Sequence, residues 1–310
     1  ISNRKLLFIC EMGLDPGIDH MSAMQIINNL KNKGANITSF KSHCGGLVAP
    51  QSDNNPWHYK ISWNPRNVVI AGKSGAVYKE DNEIKSIKYI DLFNTTNTFT
   101  RYGLKDLAFY PNRDSLGYIS TYKLPGTATF IRTTLRHVDF FKGLNALIHA
   151  GLTNDTIAVD INGLTYAKWS APILPFVNEN NKLMLKYLGL FNDAPVLSTA
   201  KTSADILQYL VEINLKMEST DKDMIVMLHQ FEYELEGKNN ILESCLIVTG
   251  EDSLSTAMAK TVGLPLGITA TLILKGSIKL KGLHIPTIKE IYEPVLEELE
   301  KAGINFIESN

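Results

Sequence analysis

The chain has 310 residues, 44% of them apolar, enough for a large buried core and about two domains. Its 31 Lys and Arg against 32 Asp and Glu produce no field that would draw in nucleic acid or anionic lipid, so neither is expected as a partner. No stretch approaches the roughly 20 apolar residues of a membrane span, residues from Ile1 onward lack the basic-then-apolar pattern expected of a signal peptide, and 3 scattered cysteines without a CxxC pair point to a reducing compartment.

Residues 6–10 read as a strand running into Glu11-Met12-Gly13-Leu14-Asp15-Pro16-Gly17-Ile18-Asp19-His20, and a helix with Met21, Met24, Ile27 and Leu30 on one face follows. An acid just past a strand's carboxyl end faces the crevice where open α/β sheets bind ligands, which makes Asp15 the first candidate, with a capped strand-to-helix turn without chemistry as the other reading. Asp19 reads as the helix N-cap. A strand over 35–42, stopped by Cys44-Gly45-Gly46, completes a β-α-β unit. Residues 48–65 carry Trp57, Tyr59 and Trp63 in an irregular, packed functional loop.

Apolar residues at 68–71 and alternation at 76–78 and 84–90 suit strands of a mixed sheet, as does the run 107–110. Pro111-Asn112-Arg113-Asp114-Ser115 then reads as a turn with a cation beside an acid, and Arg132-Thr133-Thr134-Leu135-Arg136 as a second basic cluster. Helical spacing over 139–150, 182–190 and 203–217 marks a helical insertion, and 224–235 with 241–248 a hairpin turning at 237–240. Two helices, 255–262 and 265–275, a third over 286–302 and a strand at 304–307 end the chain. The fold class is α/β with a mixed sheet and an all-α insertion.

Gly72-Lys73-Ser74 resembles the end of a phosphate loop, but Asn67 stands where the loop needs a glycine. There is no GxGxxG for a dinucleotide, no GxSxG elbow, and no HxxxH or HxH pair beside an acid, so no metal is expected. His20 and His43 border the two strand-end loops. Cys44 is either a pocket thiol or a small turn residue. Arg113 and Arg136 are the cations suited to bidentate carboxylate binding, with surface ion pairing as the other reading.

Gly13 through His20, Cys44-Gly45-Gly46, Tyr59-Lys60-Ile61-Ser62-Trp63, Tyr110 through Ser115, Thr134-Leu135-Arg136 and Ala257-Met258-Ala259-Lys260-Thr261-Val262-Gly263-Leu264-Pro265 together resemble the glutamate-forming saccharopine dehydrogenases, or saccharopine reductases. The resemblance includes the dehydrogenase half of bifunctional aminoadipate semialdehyde synthase. It implies interconversion of saccharopine with L-glutamate and 2-aminoadipate 6-semialdehyde using NAD or NADP, in the cytoplasm or mitochondrial matrix, and it allows a homodimer.

The resemblance also implies an organisation: 1–20 as the last part of a Rossmann domain, 21–138 a mixed-sheet substrate domain and 139–218 the helical insertion. A return hairpin of the substrate domain follows at 219–250, and 251–310 packs on the Rossmann and substrate domains. Most of the Rossmann half would precede Ile1, so the chain alone is expected to be inactive. By the same resemblance Asp15, Arg113, Thr134, Leu135 and Arg136 bind substrate, and Leu14, Asp15, Pro16 and Asn64 face the cofactor; Cys44 is expected to line the substrate pocket beside them. Asp15 is the catalytic residue. Asn64 replaces the family's usual serine, Val48 its usual proline, and 250–256 is more acidic than the family's glycine-rich run. The competing expectation is a non-catalytic binding or assembly subunit on the same fold.

Overall fold

Alternation along the longest strands gives the main sheet two different apolar faces. The computed structural model describes residues 6–94 and 97–309. The first half contains β1 (Leu7–Ile9), α1 (Ile18–Asn32), β2 (Asn36–Val48), α2 (Pro65–Val69), β3 (Ala76–Glu80) and β4 (Glu83–Ile87). It continues with β5 (Thr98–Arg101), β6 (Leu104–Pro111), β7 (Arg113–Asp114), α3 (Leu116–Thr121) and β8 (Thr129–His137). Four helices follow: α4 (Val138–His149), α5 (Tyr166–Trp169), α6 (Lys182–Tyr187) and α7 (Ser203–Asn214). The chain returns through β9 (Asp223–Leu235), β10 (Lys238–Thr249), α8 (Ala257–Leu274), β11 (Gly282–His284), α9 (Lys289–Lys301) and β12 (Ile307–Ser309).

The ten-stranded mixed sheet runs β12-β10-β9-β2-β8-β3-β4, with β6 on the distal half of β8, β5 beyond β6, and β7 beside β3. β2 is its spine, antiparallel to β9 along its whole length and parallel to β8 from Ser39 to Cys44. Ile225, Met227 and Phe231 of β9 join Phe40, Phe130 and the apolar stripes of α1 and α9 in one core, while Met224, Val226 and Leu228 meet Leu47, Leu107 and Leu135 on the other face. Phe40, Phe130 and Phe231 are fully buried, each contributing roughly 1.5–3 kcal/mol of transfer free energy. A third core joins α4 to α7 to Trp57, Tyr59 and Tyr110. The α7 start is fixed by a capping box between Thr202 and Asp205.

Several local expectations are corrected. β1 pairs in parallel with β11, in a two-stranded sheet separate from that of β2, so the predicted β-α-β unit is not one sheet. β2 does not stop at Cys44-Gly45-Gly46 but runs to Val48. Residues 68–71 are no strand: Pro65 at the first helical position and the Asn64 side chain accepting the Arg66 N–H start α2 there. Arg113 and Asp114, expected in a turn, pair with Ala76 and Val77. The hairpin turns at Glu236 and Gly237, both at positive φ, rather than at 237–240. The last strand starts at Ile307, not 304.

The two helices expected around Pro265 are one, and α8 has a mean hydropathy of 1.5, long and apolar enough by composition to cross a membrane, contrary to the sequence expectation. Its Ala257, Thr261, Pro265 and Thr269 form the buried stripe, and Asp223 anchors its start by accepting the Ala257 and Met258 N–H groups at 2.6 and 2.9 Å.

Candidate active site

The loop after β1 is tied into a knot of backbone hydrogen bonds that presents Asp15. Gly13 N–H donates to the Pro16 carbonyl at 3.1 Å, and Ile18 N–H to the Gly13 carbonyl at 2.9 Å. Gly17, at φ 149°, makes this packing feasible: a Cβ there would fall 2.0 Å from the Gly13 carbonyl oxygen. α1 therefore starts at Ile18, with Gly17 as N-cap, and Asp19 sits inside the first turn accepting the Gly17 N–H at 2.6 Å, which corrects its expected capping position.

Two cavities meet at this loop. One, of about 310 Å³, is lined by Leu14, Asp15, Pro16, Cys44, Thr134 and Arg136 and closed by Met258 and Val262 of α8. Its neighbour, of about 590 Å³, is lined by Asp15, Pro16, Asn112, Arg113, Tyr118 and Arg132. Asp15, Pro16 and Asn112 belong to both walls, so Asp15 stands where the two chambers adjoin.

Strand parity explains the cations. Arg132, Thr134 and Arg136 alternate along β8 onto one face, whereas Leu135 is buried in the cluster on the opposite face. Arg132 bridges both aspartates, bonding Asp15 Oδ1 and, at 2.7 Å, Asp19 Oδ2, and its guanidinium lies 4.2 Å from the Tyr118 ring centroid. Arg136 is 5% exposed, donates to the Leu135 carbonyl at 2.7 Å and lies 5.5 Å from the Tyr59 ring. Among the described residues Arg136 forms no ion pair, leaving a buried cation facing a cavity. Arg113 is exposed on the second chamber's wall.

The two carboxyls differ in proton affinity. Burial, opposed by Arg132 and reinforced by the Asp19 charge, pushes Asp15 up to about 6. Burial acts the same way on Asp19, but His20, Arg132 and the Gly17 N–H outweigh it and hold Asp19 at about 2. The Cys44 thiol is raised well above its usual value by burial and by both aspartates, so it stays protonated.

The structure thus gathers Leu14, Asp15, Pro16, Cys44, Thr134 and Arg136 on one cavity, with Arg113 on its neighbour. Asn64 is exposed, caps α2 and lines neither cavity, and Leu135 lines neither, its side chain buried on the opposite face and its carbonyl accepting from Arg136. His20 is buried between Glu11 and Tyr122, and His43 between Thr133 and Gln230, both outside the two linings. Arg132 was overlooked as a site residue, although its i, i+2, i+4 spacing with Thr134 and Arg136 was the readable signal.

Gly45 packs directly against Leu135 of β8, since a Cβ would lie 2.7 Å from the Leu135 Cβ and 2.8 Å from its carbonyl oxygen. Gly45→Ala is expected to cost about 1–3 kcal/mol in urea unfolding. Undiminished stability would contradict that contact.

Over residues 13–304 the chain matches the family described as saccharopine dehydrogenase C-terminal domain. It is 33% identical to the mitochondrial alpha-aminoadipic semialdehyde synthase of Bos taurus, matching over 99% of the chain but spanning only 36% of that protein. It is 32% identical to the NADP(+), L-glutamate-forming saccharopine dehydrogenase of Schizosaccharomyces pombe, covering 96% of the chain and 72% of the relative. The solved apo saccharopine dehydrogenase (L-Glu forming) of Saccharomyces cerevisiae superposes with a TM-score of 0.86 at 32% identity, covering 96% of this chain and 72% of that one. With this breadth of match in both sequence and structure, the chain belongs to the saccharopine dehydrogenase family.

Proposed function

We propose that the whole protein interconverts saccharopine with L-glutamate and 2-aminoadipate 6-semialdehyde, and that this chain supplies its substrate-binding part. The observation that carries the reading is the pair of adjoining cavities with Asp15 between them and the buried, acid-free Arg136 in one wall. Saccharopine carries three carboxylates and a secondary amine. Burying a guanidinium without a partner is costly, and an incoming carboxylate offsets that cost by bidentate pairing.

In this reading Arg136 and Arg113 each take a substrate carboxylate, Thr134 donates its hydroxyl, and Cys44 packs as a neutral wall. Leu135 acts through its carbonyl, which aims the Arg136 guanidinium. Asp15 takes the amine proton and faces the positive charge that develops on nitrogen as hydride leaves the aminoadipate-side carbon. Water then adds to the resulting imine, and its collapse releases glutamate and the semialdehyde.

NAD or NADP, when bound, supplies the hydride acceptor. The first cavity fits the nicotinamide end of that group, because Leu14, Pro16, Met258 and Val262 give it an apolar wall beside Asp15. The described residues hold no glycine-rich phosphate turn for the remainder. Asn64 reaches the cofactor in this reading only from outside the first cavity. The proposed organisation keeps 1–20 with the cofactor domain, 21–138 and 219–250 as substrate domain, 139–218 as helical insertion and 251–310 as the closing segment. Cytoplasm or mitochondrial matrix is the proposed compartment.

The test is saccharopine-dependent reduction of NAD+ and of NADP+ by the whole protein; a folded protein turning over with neither overturns the proposal. Arg136→Met is expected to raise KM for saccharopine at least ~10-fold while leaving the melting temperature unchanged or higher, because an apolar side chain replaces an unpaired buried charge. Unchanged KM would remove Arg136 from the site.

A further inference from the structure

One residue beyond Arg136, two imidazole nitrogens converge on one carboxylate oxygen. His58 lies in the loop before Tyr59, His137 ends β8, and Asp139 sits in the first turn of α4. His58 Nδ1 is 2.7 Å from Asp53 Oδ2, a bond that puts the proton on Nδ1 and a lone pair on Nε2. That Nε2 is 3.5 Å from Asp139 Oδ2. His137 Nδ1 is unprotonated, since it accepts the Asp139 backbone N–H at 3.2 Å, a cap bond that a bound ion would displace, and it lies 3.6 Å from the same carboxylate oxygen. Lys142 takes the other oxygen, Oδ1, at 2.6 Å, and among the described residues Oδ2 faces the two imidazoles.

We propose that His58, His137 and Asp139 bind a divalent transition-metal ion, with Asp53 orienting His58 from behind. The ligand atoms of the three residues lie within 4.8 Å of one another. Donors about 2.0–2.2 Å from a tetrahedral Zn2+ are about 3.4 Å apart, close to the 3.5 and 3.6 Å observed. Two imidazoles and one carboxylate are a donor set suited to Zn2+. The Asp53–His58 bond is the outer carboxylate–histidine pairing that fixes a metal-ligating ring and its tautomer.

The rings stack at 3.9 Å with planes 27° apart, so seating the ion requires them to open by rotation about their Cβ–Cγ bonds. Asp53, His58, Asp106 and His137, though not Asp139, line a cavity of about 340 Å³, into which the rings would turn and from which a water would enter as fourth ligand. Asp53 Oδ1, buried without a hydrogen-bond partner, is free to accept from such a water. Local spacing hides the set, since His58 reaches the His137-x-Asp139 pair only through the tertiary fold. The ion would clamp the loop leading into Tyr59 to the end of β8, on either side of the Tyr59–Arg136 contact.

The experiment titrates the intact, EDTA-stripped protein with Zn2+ by calorimetry and with Co2+ by visible absorption, which reports tetrahedral coordination. The wild type is expected to take up one equivalent of Zn2+ and to gain melting temperature with it. His58→Ala and His137→Asn, the latter keeping a cap acceptor for the Asp139 N–H, should each weaken binding at least ~10-fold, and Asp53→Asn by about 10–100-fold. Absence of binding at millimolar Zn2+, or equal affinity in wild type and folded His58→Ala, overturns the proposal. Neither result bears on saccharopine turnover, which is read separately.

Discussion

Arg132→Ala is expected to destabilise the protein by about 3–5 kcal/mol near neutral pH, lowering its melting temperature by on the order of 10 °C. The guanidinium serves two carboxylates and a tyrosine face, and its loss strands Asp19, which is 1% exposed and held ionised. The sign of the pH dependence follows from the two aspartates. In the wild type Asp19, depressed to about 2, contributes stability above its unfolded value that is lost as pH falls toward 2. Asp15, raised to about 6, works the other way, and its contribution is lost as pH rises from the unfolded value through about 6. Removing the cation raises both folded-state values, so the deficit of the variant should grow with pH and shrink as pH falls toward about 2, where Asp19 takes up its proton in the wild type as well. Arg132→Ala combined with Asp19→Asn should recover part of the loss at neutral pH. A deficit that is independent of pH, or a melting shift under about 2 °C, would show that the triad does not carry this electrostatic load.

How much of this was legible depends on whether the governing contact is local. Asp15 was readable because a strand, an acid, a proline and a glycine follow one another within a few residues. The helix starting at Pro65 has a local signal in its Asn64 cap, yet the four apolar residues at 68–71 fit strand and helix periods equally. Glycines weaken strands in general, so Gly45 and Gly46 read as a strand end. Their actual use, to admit Leu135 and Met258, depends on partners far along the chain. The same holds for β1, whose partner Gly282–His284 no local pattern announces. Pro265 lacks the N–H that would bond the Thr261 carbonyl, but α8 continues through it with the Thr261 hydroxyl turned back to the Ala257 carbonyl at 2.8 Å. At the site, the residue types were visible and their pairing was not: β8 parity put Arg132 with Thr134 and Arg136, but only the fold shows that Arg132 is occupied by two aspartates while Arg136 is free of them.

Asp15→Ala in the whole protein is expected to lower kcat for saccharopine oxidation by about 10²–10⁴-fold, the range for loss of a positioned proton acceptor. The lining of the first cavity contains two groups able to accept a proton, Asp15 and Cys44, and the thiol is held protonated by burial and by the neighbouring carboxylates. His43, lowered to about 4 by burial, and His20, engaged by Glu11 and Tyr122, lie outside that lining and cannot substitute. Since Asp15 accepts a proton only when ionised, wild-type kcat/KM in the oxidative direction should fall as pH drops through about 6, and Asp15→Asn should lack that limb. Cys44→Ser should keep both the rate, within about 3-fold, and the limb, because a neutral wall residue has been exchanged for another of similar size. Stability separates this role from a structural one. Arg132 still holds Asp19 after Asp15 is neutralised, so Asp15→Asn should change unfolding free energy by under about 1 kcal/mol while activity collapses. Retained turnover with the acid limb intact in Asp15→Asn would move the proton acceptor elsewhere, and a rate loss matched by a large stability loss would reduce Asp15 to a partner of Arg132.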